Sequence, residues 1–288
     1  MKSLGSLIIG CANFSDKYGL DDNSKVPKEA IREIINKNQN IIKELDTAIS
    51  YYNANNKLKD LDLKKLKIST KIPFLNFKEK DLETKVIKLV FNHSKKLNLD
   101  KFETIYLHDS NQLLGRKSNI ILKTLEKLKK IKITKNVGVS IYNPEELEEI
   151  LKIFVPDVVQ FPLNIFDRRF LNKKTISLIK KNKIIPYSRS IFLQGLLLKD
   201  AKKLPLYFKR WKTLFFKYEK WIKQNKISKV EGCLSILNSL PIKMNLILGI
   251  ENNLQFKSIF KKLNTKVTAP KELFSNDRKL LNPYFWKI

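Results

Sequence analysis

Eight short apolar runs recur along the chain, and a segment with helical periodicity follows each of them. The runs are rich in β-branched residues and nearly continuous in apolar character, which is typical of parallel strands buried on both faces. They cover residues 6–10, 44–49, 67–72, 103–108, 135–140, 157–161, 183–188 and 245–250.

The segments between the runs carry apolar residues at helical spacing, and one of them carries clear helix-start signals. The spacing predicts helices over residues 27–38, 81–98 and 143–154. Asn143 precedes Pro144 and two glutamates, which is the order of a capping residue, a first-turn proline and first-turn acids. The helices therefore separate the strands.

Strand and helix alternate eight times within 288 residues, and no Pro/Gly/Ser-rich linker interrupts them. This count is expected of an α/β fold of the TIM (β/α)8 barrel type. We predict a single domain over residues 1–288.

Two segments permit a second interpretation. Residues 7–11, an apolar run that ends in Gly-Cys, resemble a bacterial lipobox, but the apolar stretch is short for a signal peptide, and we favour a first barrel strand. Residues 206–226 combine aromatic residues at spacings of three and four with many lysines, as in a helix on a membrane surface or a nucleic acid. The same spacing suits an outer barrel helix, which we favour.

The composition narrows the function classes. The formal charge of +29 comes from 57 Lys and Arg against 28 Asp and Glu, and the cations are scattered along the chain. A nucleic-acid footprint is usually clustered, so we expect neither nucleic-acid nor membrane partners, and keep a binder of this kind as an alternative. Two distant cysteines and two histidines argue against a disulfide framework or a metal centre and suit the cytoplasm.

Polar residues at the ends of the predicted strands are the candidates for chemistry, because barrel enzymes act there. A lysine beside a tyrosine lowers the pKa of the phenol, an aspartate holds the lysine charged, and an imidazole can orient a carbonyl. Singly, each also suits an ordinary structural role. The residues are Asp46, Tyr51, Lys71 and His108 after strands two to four, with Ser140 and Gln160 at the ends of strands five and six.

These residues lie in motifs that resemble the aldo-keto reductase family. "LDTAISYYNANNKL" resembles the family's Asp-Thr-Ala-x-x-Tyr motif, "ISTKI" its strand-three lysine motif and "IYLHDS" its strand-four histidine motif. Segments from "NVGVSIYNPEELEEIL" to "LILGIENNLQF" match in the same order, so the resemblance covers nearly the whole chain. It implies that Tyr51 donates a proton and that Lys71 and Asp46 tune it. It also implies that His108 orients the substrate carbonyl.

The resemblance further implies a nicotinamide cofactor that is bound without a Gly-rich loop. It assigns Ser140 and Gln160 to the nicotinamide carboxamide, and Tyr187 to stacking on the ring. The remaining implied contacts are Gly249, Asn253 and Gln255 at the adenosine phosphate end of the cofactor, and Asn164 and Arg189 in the substrate pocket.

Three positions depart from the family pattern. Ile141 stands where many members have asparagine after strand five. Tyr52 stands where a glycine usually follows the catalytic tyrosine, which makes it an alternative to Tyr51, although the spacing from Asp46 selects Tyr51. Glu251 lies near the expected site of the 2′-phosphate of NADP, where a carboxylate would favour NAD(H). NADP(H) remains the family default.

The sequence therefore predicts an enzyme that reduces an aldehyde or ketone to an alcohol with NAD(P)H and without a metal. A sugar-derived carbonyl is among the candidate small-molecule substrates. The alternative is a cofactor-binding regulatory protein on the same barrel without catalysis. The complete set of an acid, a phenol, an amine and an imidazole favours the enzyme. The substrate, the direction of the reaction and the oligomeric state are not specified.

Overall fold

A closed barrel of eight parallel strands in chain order forms the centre of the molecule. The computed structural model describes residues 3–16, 18–20, 25–76 and 78–287. Helices lie between the strands, which confirms the predicted TIM (β/α)8 barrel. The strands are β1 (Leu4–Gly10), β2 (Glu44–Asp46), β3 (Lys67–Ile72), β4 (Phe102–Leu107), β5 (Thr134–Ser140), β6 (Val158–Pro162), β7 (Ile185–Arg189) and β8 (Met244–Gly249).

Each predicted apolar run overlaps one of these strands, and β2 is shorter than its prediction. The run over residues 44–49 forms a strand only as far as Asp46. The backbone then turns, because the Tyr51 N–H donates to the Ala48 carbonyl at 3.0 Å. This early turn brings the following residues over the end of the barrel.

The helices in the described part of the chain surround the barrel. The predicted start at Asn143 is confirmed, because its side chain and that of Glu146 form a reciprocal capping box at α5. None of these helices combines the length and the apolar character that a membrane crossing requires. The helices are α1 (Lys28–Lys37), α2 (Tyr52–Leu58), α3 (Glu79–Lys96), α4 (Ser118–Lys130), α5 (Pro144–Leu151), α6 (Lys173–Lys181), α7 (Lys212–Gln224), α8 (Lys229–Leu234), α9 (Asn253–Lys262) and α10 (Arg278–Leu281).

The two ambiguous segments both belong to the barrel. Residues 7–10 lie in β1, which pairs with β2 and β8, and Cys11 beyond it is fully buried. In α7, the rings of Phe215 and Tyr218 are buried and meet Phe166 edge-on, with centroids 5.2 and 5.6 Å apart. The strand and barrel-helix interpretations are therefore confirmed.

Gly138 on β5 allows a large ring to enter the barrel. A Cβ atom at this position would lie 2.7 Å from Cδ1 of Tyr106 and 2.7 Å from the Val158 carbonyl oxygen. Both separations are far below a normal contact, so only glycine fits without moving the neighbouring strands. The buried Tyr106 ring then fills the barrel interior below the site.

The barrel interior is partly polar. Glu44 accepts hydrogen bonds from the Ser69 hydroxyl at 2.6 Å and from the Tyr187 hydroxyl at 3.1 Å. Burial raises the pKa of Glu44 to about 7 although both hydrogen bonds oppose the rise, and the Asp46 charge adds to it. A carboxyl group that titrates near neutral pH therefore lies one layer below the cavity residues.

Candidate active site

A cavity of about 230 Å³ lies at the carboxyl ends of the barrel strands. Residues at or after the ends of β1, β2, β3, β4, β5, β6, β7 and β8 form its wall. This is the end of the fold where barrel enzymes carry their chemistry. The predicted site residues that line it are Asp46, Tyr51, Lys71, His108, Gln160, Arg189, Gly249 and Gln255.

A buried ion pair forms the floor of the cavity. Lys71 Nζ donates to Asp46 Oδ2 and to the Thr47 carbonyl, the latter at 3.1 Å, and the two side chains are only 3% and 8% exposed. Gln160 Nε2 donates to the other oxygen of Asp46 at 2.9 Å. The strands direct these side chains inward because barrel residues alternate between interior and exterior. The Asp46 charge is thereby compensated and held in one orientation.

The loop between β2 and α2 carries Tyr51 to this ion pair. Asn55, a buried residue that the sequence analysis did not single out, fixes the loop. Its side chain accepts a hydrogen bond from the Thr47 hydroxyl at 2.8 Å and donates one to the Ala48 carbonyl at 2.8 Å. Lys71 Nζ consequently lies 5.9 Å from the centroid of the Tyr51 ring.

Tyr51 and His108 lie beside each other in the cavity. Their ring centroids are 6.1 Å apart, and the ring planes meet at 79°. His108 follows β4, and its backbone N–H donates to the Ile72 carbonyl at 2.9 Å, which extends the pairing with β3. Tyr52 is 69% exposed and is not among the residues that line the cavity. The geometry therefore selects Tyr51 over Tyr52.

The electrostatics of Tyr51 differ from the expectation. Burial raises the pKa of Tyr51 well above that of a free phenol, and the nearby Tyr18 and Asp46 add to the rise. Arg189 opposes it. Lys71 was expected to lower this pKa, but its charge is compensated by Asp46 and burial dominates. Tyr51 therefore stays protonated at neutral pH, as a proton donor must.

His108 is an uncharged imidazole. Burial, together with the Lys71 and Arg189 charges, lowers the pKa of His108 to about 3. At neutral pH the ring therefore has one N–H donor and one acceptor nitrogen. Such a ring can orient a carbonyl oxygen by hydrogen bonding.

Three further predicted cofactor contacts lie at or beside the cavity. Ser140 is buried at the end of β5, in register with β6, but is not among the lining residues. Gly249 lines the cavity, and a Cβ atom there would lie 2.3 Å from Oδ1 of Asn13. Gln255 Oε1 accepts a hydrogen bond from the Glu251 N–H at 2.7 Å, which fixes the start of α9.

Tyr187 is buried on β7, in register with Gln160 on β6. Its ring contacts Tyr106 edge-on inside the barrel, and its hydroxyl donates to Glu44. Arg189, two residues further along the same face of β7, lines the cavity instead. Tyr187 is not among the residues that line the cavity, and its stacking on a nicotinamide stays a prediction.

Asn164 and Asn253 are also held away from the cavity. Asn164 is fully buried, and its Oδ1 accepts hydrogen bonds from the N–H groups of Phe166 and Asp167, both at 2.9 Å. Asn253 Oδ1 accepts from Asn38 at 2.8 Å and so joins α9 to α1. Neither residue is among those that line the cavity, so the pocket role of Asn164 and the cofactor role of Asn253 stay predictions.

Part of the cavity wall was missed from the sequence. Asn13 and Tyr142 lie within three residues of the ends of β1 and β5, so the rule that selected the other candidates also applies to them. Tyr18 and several residues between 190 and 198 line the cavity from longer loops. Their positions depend on the path of those loops, which no local pattern specifies.

The polar groups of the cavity suit an organic cofactor. Gln160 Oε1 and the Tyr106 hydroxyl are both buried without a hydrogen-bond partner among the described residues, although Gln160 lies close enough to Tyr106 to oppose the rise in the pKa of that phenol. An amide N–H of a bound molecule can pair with Oε1. Gly10 and Gly249 leave the wall without side chains on β1 and β8. Within the described ranges, no group of three or more His, Cys, Asp or Glu side chains is arranged to hold a metal ion.

Comparison with known proteins agrees with this geometry. The profile of the Aldo/keto reductase family matches residues 6–274. The glycerol dehydrogenase AKR11B4 from Gluconobacter oxydans is similar in fold, with a TM-score of 0.65 and 17% identity over 93% of this chain and 89% of that chain. The holo form of the aldo-keto reductase AKR11C1 from Bacillus halodurans gives a TM-score of 0.68 and 17% identity over 96% and 92% of the two chains. No curated protein sequence matches this chain. The chain belongs to the aldo/keto reductase family, whose members are oxidoreductases of carbonyl compounds that generally use nicotinamide cofactors.

Proposed function

We propose that the protein reduces an aldehyde or ketone to an alcohol with NAD(P)H, or catalyses the reverse reaction. The observation that carries this proposal is the convergence of Tyr51 and His108 beside the Lys71–Asp46 ion pair in one cavity. A protonated phenol, a neutral imidazole and a compensated cation supply what a carbonyl reduction needs from the protein.

Each of these side chains has a separate task. Tyr51 gives its hydroxyl proton to the carbonyl oxygen as negative charge develops there. Lys71, held by Asp46, stabilises the phenolate that Tyr51 leaves behind. His108 donates a hydrogen bond from its neutral ring to the same oxygen and so orients the carbonyl.

The cavity also suits the nicotinamide. When bound, this cofactor supplies the hydride that reaches the carbonyl carbon. We propose that Gln160, with its unpartnered Oε1, and the neighbouring Ser140 hold the carboxamide. Gly249 and Gln255 would hold the adenosine phosphate end. Ile141 is fully buried and has no amide to offer, so one contact common in the family is absent.

The form of the cofactor depends on the residues after β8. NADP(H) is our proposal because it is the family default, and Lys257 would add an attractive charge for a 2′-phosphate. Glu251 lines the cavity and favours the alternative, NAD(H), because a carboxylate repels a phosphate and accepts a hydrogen bond from a free ribose hydroxyl. A clear preference for NADH in KM would reject NADP(H).

The proposed partner is a small-molecule carbonyl compound in the cytoplasm. Both cysteines are free and buried, which suits a reducing compartment. A first substrate panel should include glyceraldehyde and dihydroxyacetone, because one structural relative is a glycerol dehydrogenase. Other aldehydes, including open-chain sugars, complete the panel.

The test compares Tyr51→Phe with Tyr52→Phe. Loss of the Tyr51 hydroxyl should lower kcat by about 10²- to 10⁴-fold, the usual contribution of a proton donor, while cofactor binding stays unchanged. Tyr52→Phe removes the same atom from the neighbouring exposed ring and should leave kcat unchanged. Undiminished turnover by Tyr51→Phe would remove Tyr51 from this role.

A further inference from the structure

Arg189 is a cavity side chain whose hydrogen bonds are weak. It is the last residue of β7, is half-buried and lines the same cavity as Tyr51 and His108. Its guanidinium lies over the Tyr142 ring, with Cζ 4.2 Å from the centroid. Its hydrogen bonds to the Ser190 hydroxyl and to a backbone carbonyl are both 3.4 Å long. The Tyr142 ring therefore holds the guanidinium plane in place, but the N–H donors of the guanidinium form only long hydrogen bonds.

The other arginines beside β6 are bound differently. Arg169 forms two hydrogen bonds of 2.8 Å to the carboxylate of Asp167. Arg168 donates to the Pro270 carbonyl at 2.6 Å. Arg189 has no such contact in the part of the chain that the structure describes, where no carboxylate lies within ion-pair distance of it. A half-buried guanidinium without a close acceptor is the arrangement expected of a site that binds an anion.

Among the described residues, the remaining charges of the cavity do not compensate Arg189. Lys71 and Asp46 compensate each other. Glu251 lies after β8 and forms no ion pair with Arg189. Arg189 also lies close enough to the reacting groups to lower the pKa of His108 and to oppose the rise in the pKa of Tyr51. Arg189, Tyr51 and His108 line one cavity of about 230 Å³, so an anion bound to Arg189 would lie near the carbonyl that Tyr51 protonates.

We propose that Arg189 binds a carboxylate or phosphate group of the substrate, and that the preferred substrates are short oxo acids or phosphorylated carbonyl compounds. This inference rests on the proposed function. The carbonyl carbon gains a hydride from the reduced cofactor, which is oxidised, and the carbonyl oxygen gains the proton of Tyr51. The product is the corresponding hydroxy acid or phosphorylated alcohol. Arg189 takes no proton and forms no bond.

The test compares an anionic substrate with a neutral one of the same shape. The pair is 2-oxobutanoate and its methyl ester, and the variants are Arg189→Gln, Arg189→Lys and the control Arg116→Gln. Arg116 is exposed and outside the cavity lining, so the control removes one positive charge without touching the site. Arg189→Gln should lower kcat/KM for 2-oxobutanoate about 10- to 100-fold, mainly through KM. Turnover of the ester by Arg189→Gln should stay within about twofold of the wild-type value. Arg189→Lys, which keeps the charge and loses the planar fork, should fall between.

Four results would overturn the proposal. Equal losses for the acid and the ester would assign Arg189 to the fold or to the transition state. Weaker NADPH binding by Arg189→Gln in a fluorescence titration, with the acid-to-ester ratio unchanged, would assign the bound anion to the cofactor diphosphate. If wild-type protein reduces the ester and every variant keeps the wild-type ratio of kcat/KM for the acid to kcat/KM for the ester, the inference fails. The proposed function then stands. Absence of turnover with any carbonyl would reject both.

Discussion

Glu44 is a buried carboxyl group whose pKa is raised by burial and by neighbouring acids. These effects raise the pKa of Glu44 from an ordinary 4.5 to about 7, and no cation among the described residues contributes to the shift. Because the folded state holds the proton more tightly, the free energy of unfolding falls as pH rises from about 4.5 to about 7. The full loss, reached above about pH 7, is on the order of 3 kcal/mol.

Glu44→Gln should remove this pH dependence. A neutral amide keeps the size of the side chain and has no proton to lose, so the variant should be more stable than wild type at about pH 8 and similar to it at about pH 5. Urea unfolding at both pH values measures the difference. Glu126→Gln, at an exposed position on α4, is the matched control and should follow wild type. Parallel pH profiles for wild type and Glu44→Gln would contradict the assignment.

His108 should not titrate in the working pH range. Its pKa is lowered to about 3 from an ordinary 6.5, so the ring is neutral at every pH above about 4. A profile of kcat/KM between about pH 5 and pH 8 should therefore show no inflection from this residue. An inflection near 6.5 in the wild type that disappears in His108→Asn would show that the imidazole is charged in the free enzyme.

At the scale of single residues, the positions of the strand ends identified candidate site residues but not how deep each side chain lies in the barrel. Asp46 and Lys71 were found because each lies at or near the end of an apolar run. Tyr187 has the same inward orientation as Arg189, yet only Arg189 reaches the cavity. The depth of a side chain depends on the stagger of neighbouring strands, which are distant in sequence. The hydrogen bond between Asn253 and Asn38 on α1 was not predictable for a similar reason, since it depends on helix packing.

At the scale of elements, the apolar runs were sufficient to predict the strands because parallel strands are buried on both faces. Helix starts were predictable where a capping residue is local, as at Asn143. The helix start in the connection after β7 was harder to predict. Residues Leu206–Trp211 form a 3₁₀ segment before α7 begins. Aromatic residues at spacings of three and four suit both a 3₁₀ helix and an α-helix. The pattern over residues 206–226 therefore could not show where one ends and the other begins.

Gly138→Ala tests how closely the strands and the Tyr106 ring are fitted. The added methyl group would contact that ring and the Val158 carbonyl at 2.7 Å, so the free energy of unfolding should fall by about 1–3 kcal/mol. Gly115→Ala is the control, because its nearest neighbour would be 3.7 Å away and its φ of −101° suits any residue. Both are measured by urea unfolding. Equal stability of the two variants would mean that the barrel interior adjusts freely.

At the scale of the whole molecule, the excess of lysine has a structural role. Basic residues lie in the last turn of α1, α3, α4, α6, α7 and α9, where a positive charge is favourable to the helix dipole. In a barrel of this type the helices run opposite to the strands, so these ends lie on the face away from the cavity. These helix ends account for part of the charge of +29 without a nucleic-acid partner.

The proposed carbonyl reduction depends on the binding of a reduced nicotinamide cofactor in the cavity beside Tyr51. Fluorescence titration of the purified protein with NADPH, and separately with NADH, tests it most directly. We predict saturable binding of at least one of them at micromolar concentration, with weaker binding in Gln160→Leu because the carboxamide loses its acceptor. Absence of binding of either cofactor would contradict the account, and the non-catalytic alternatives would replace it.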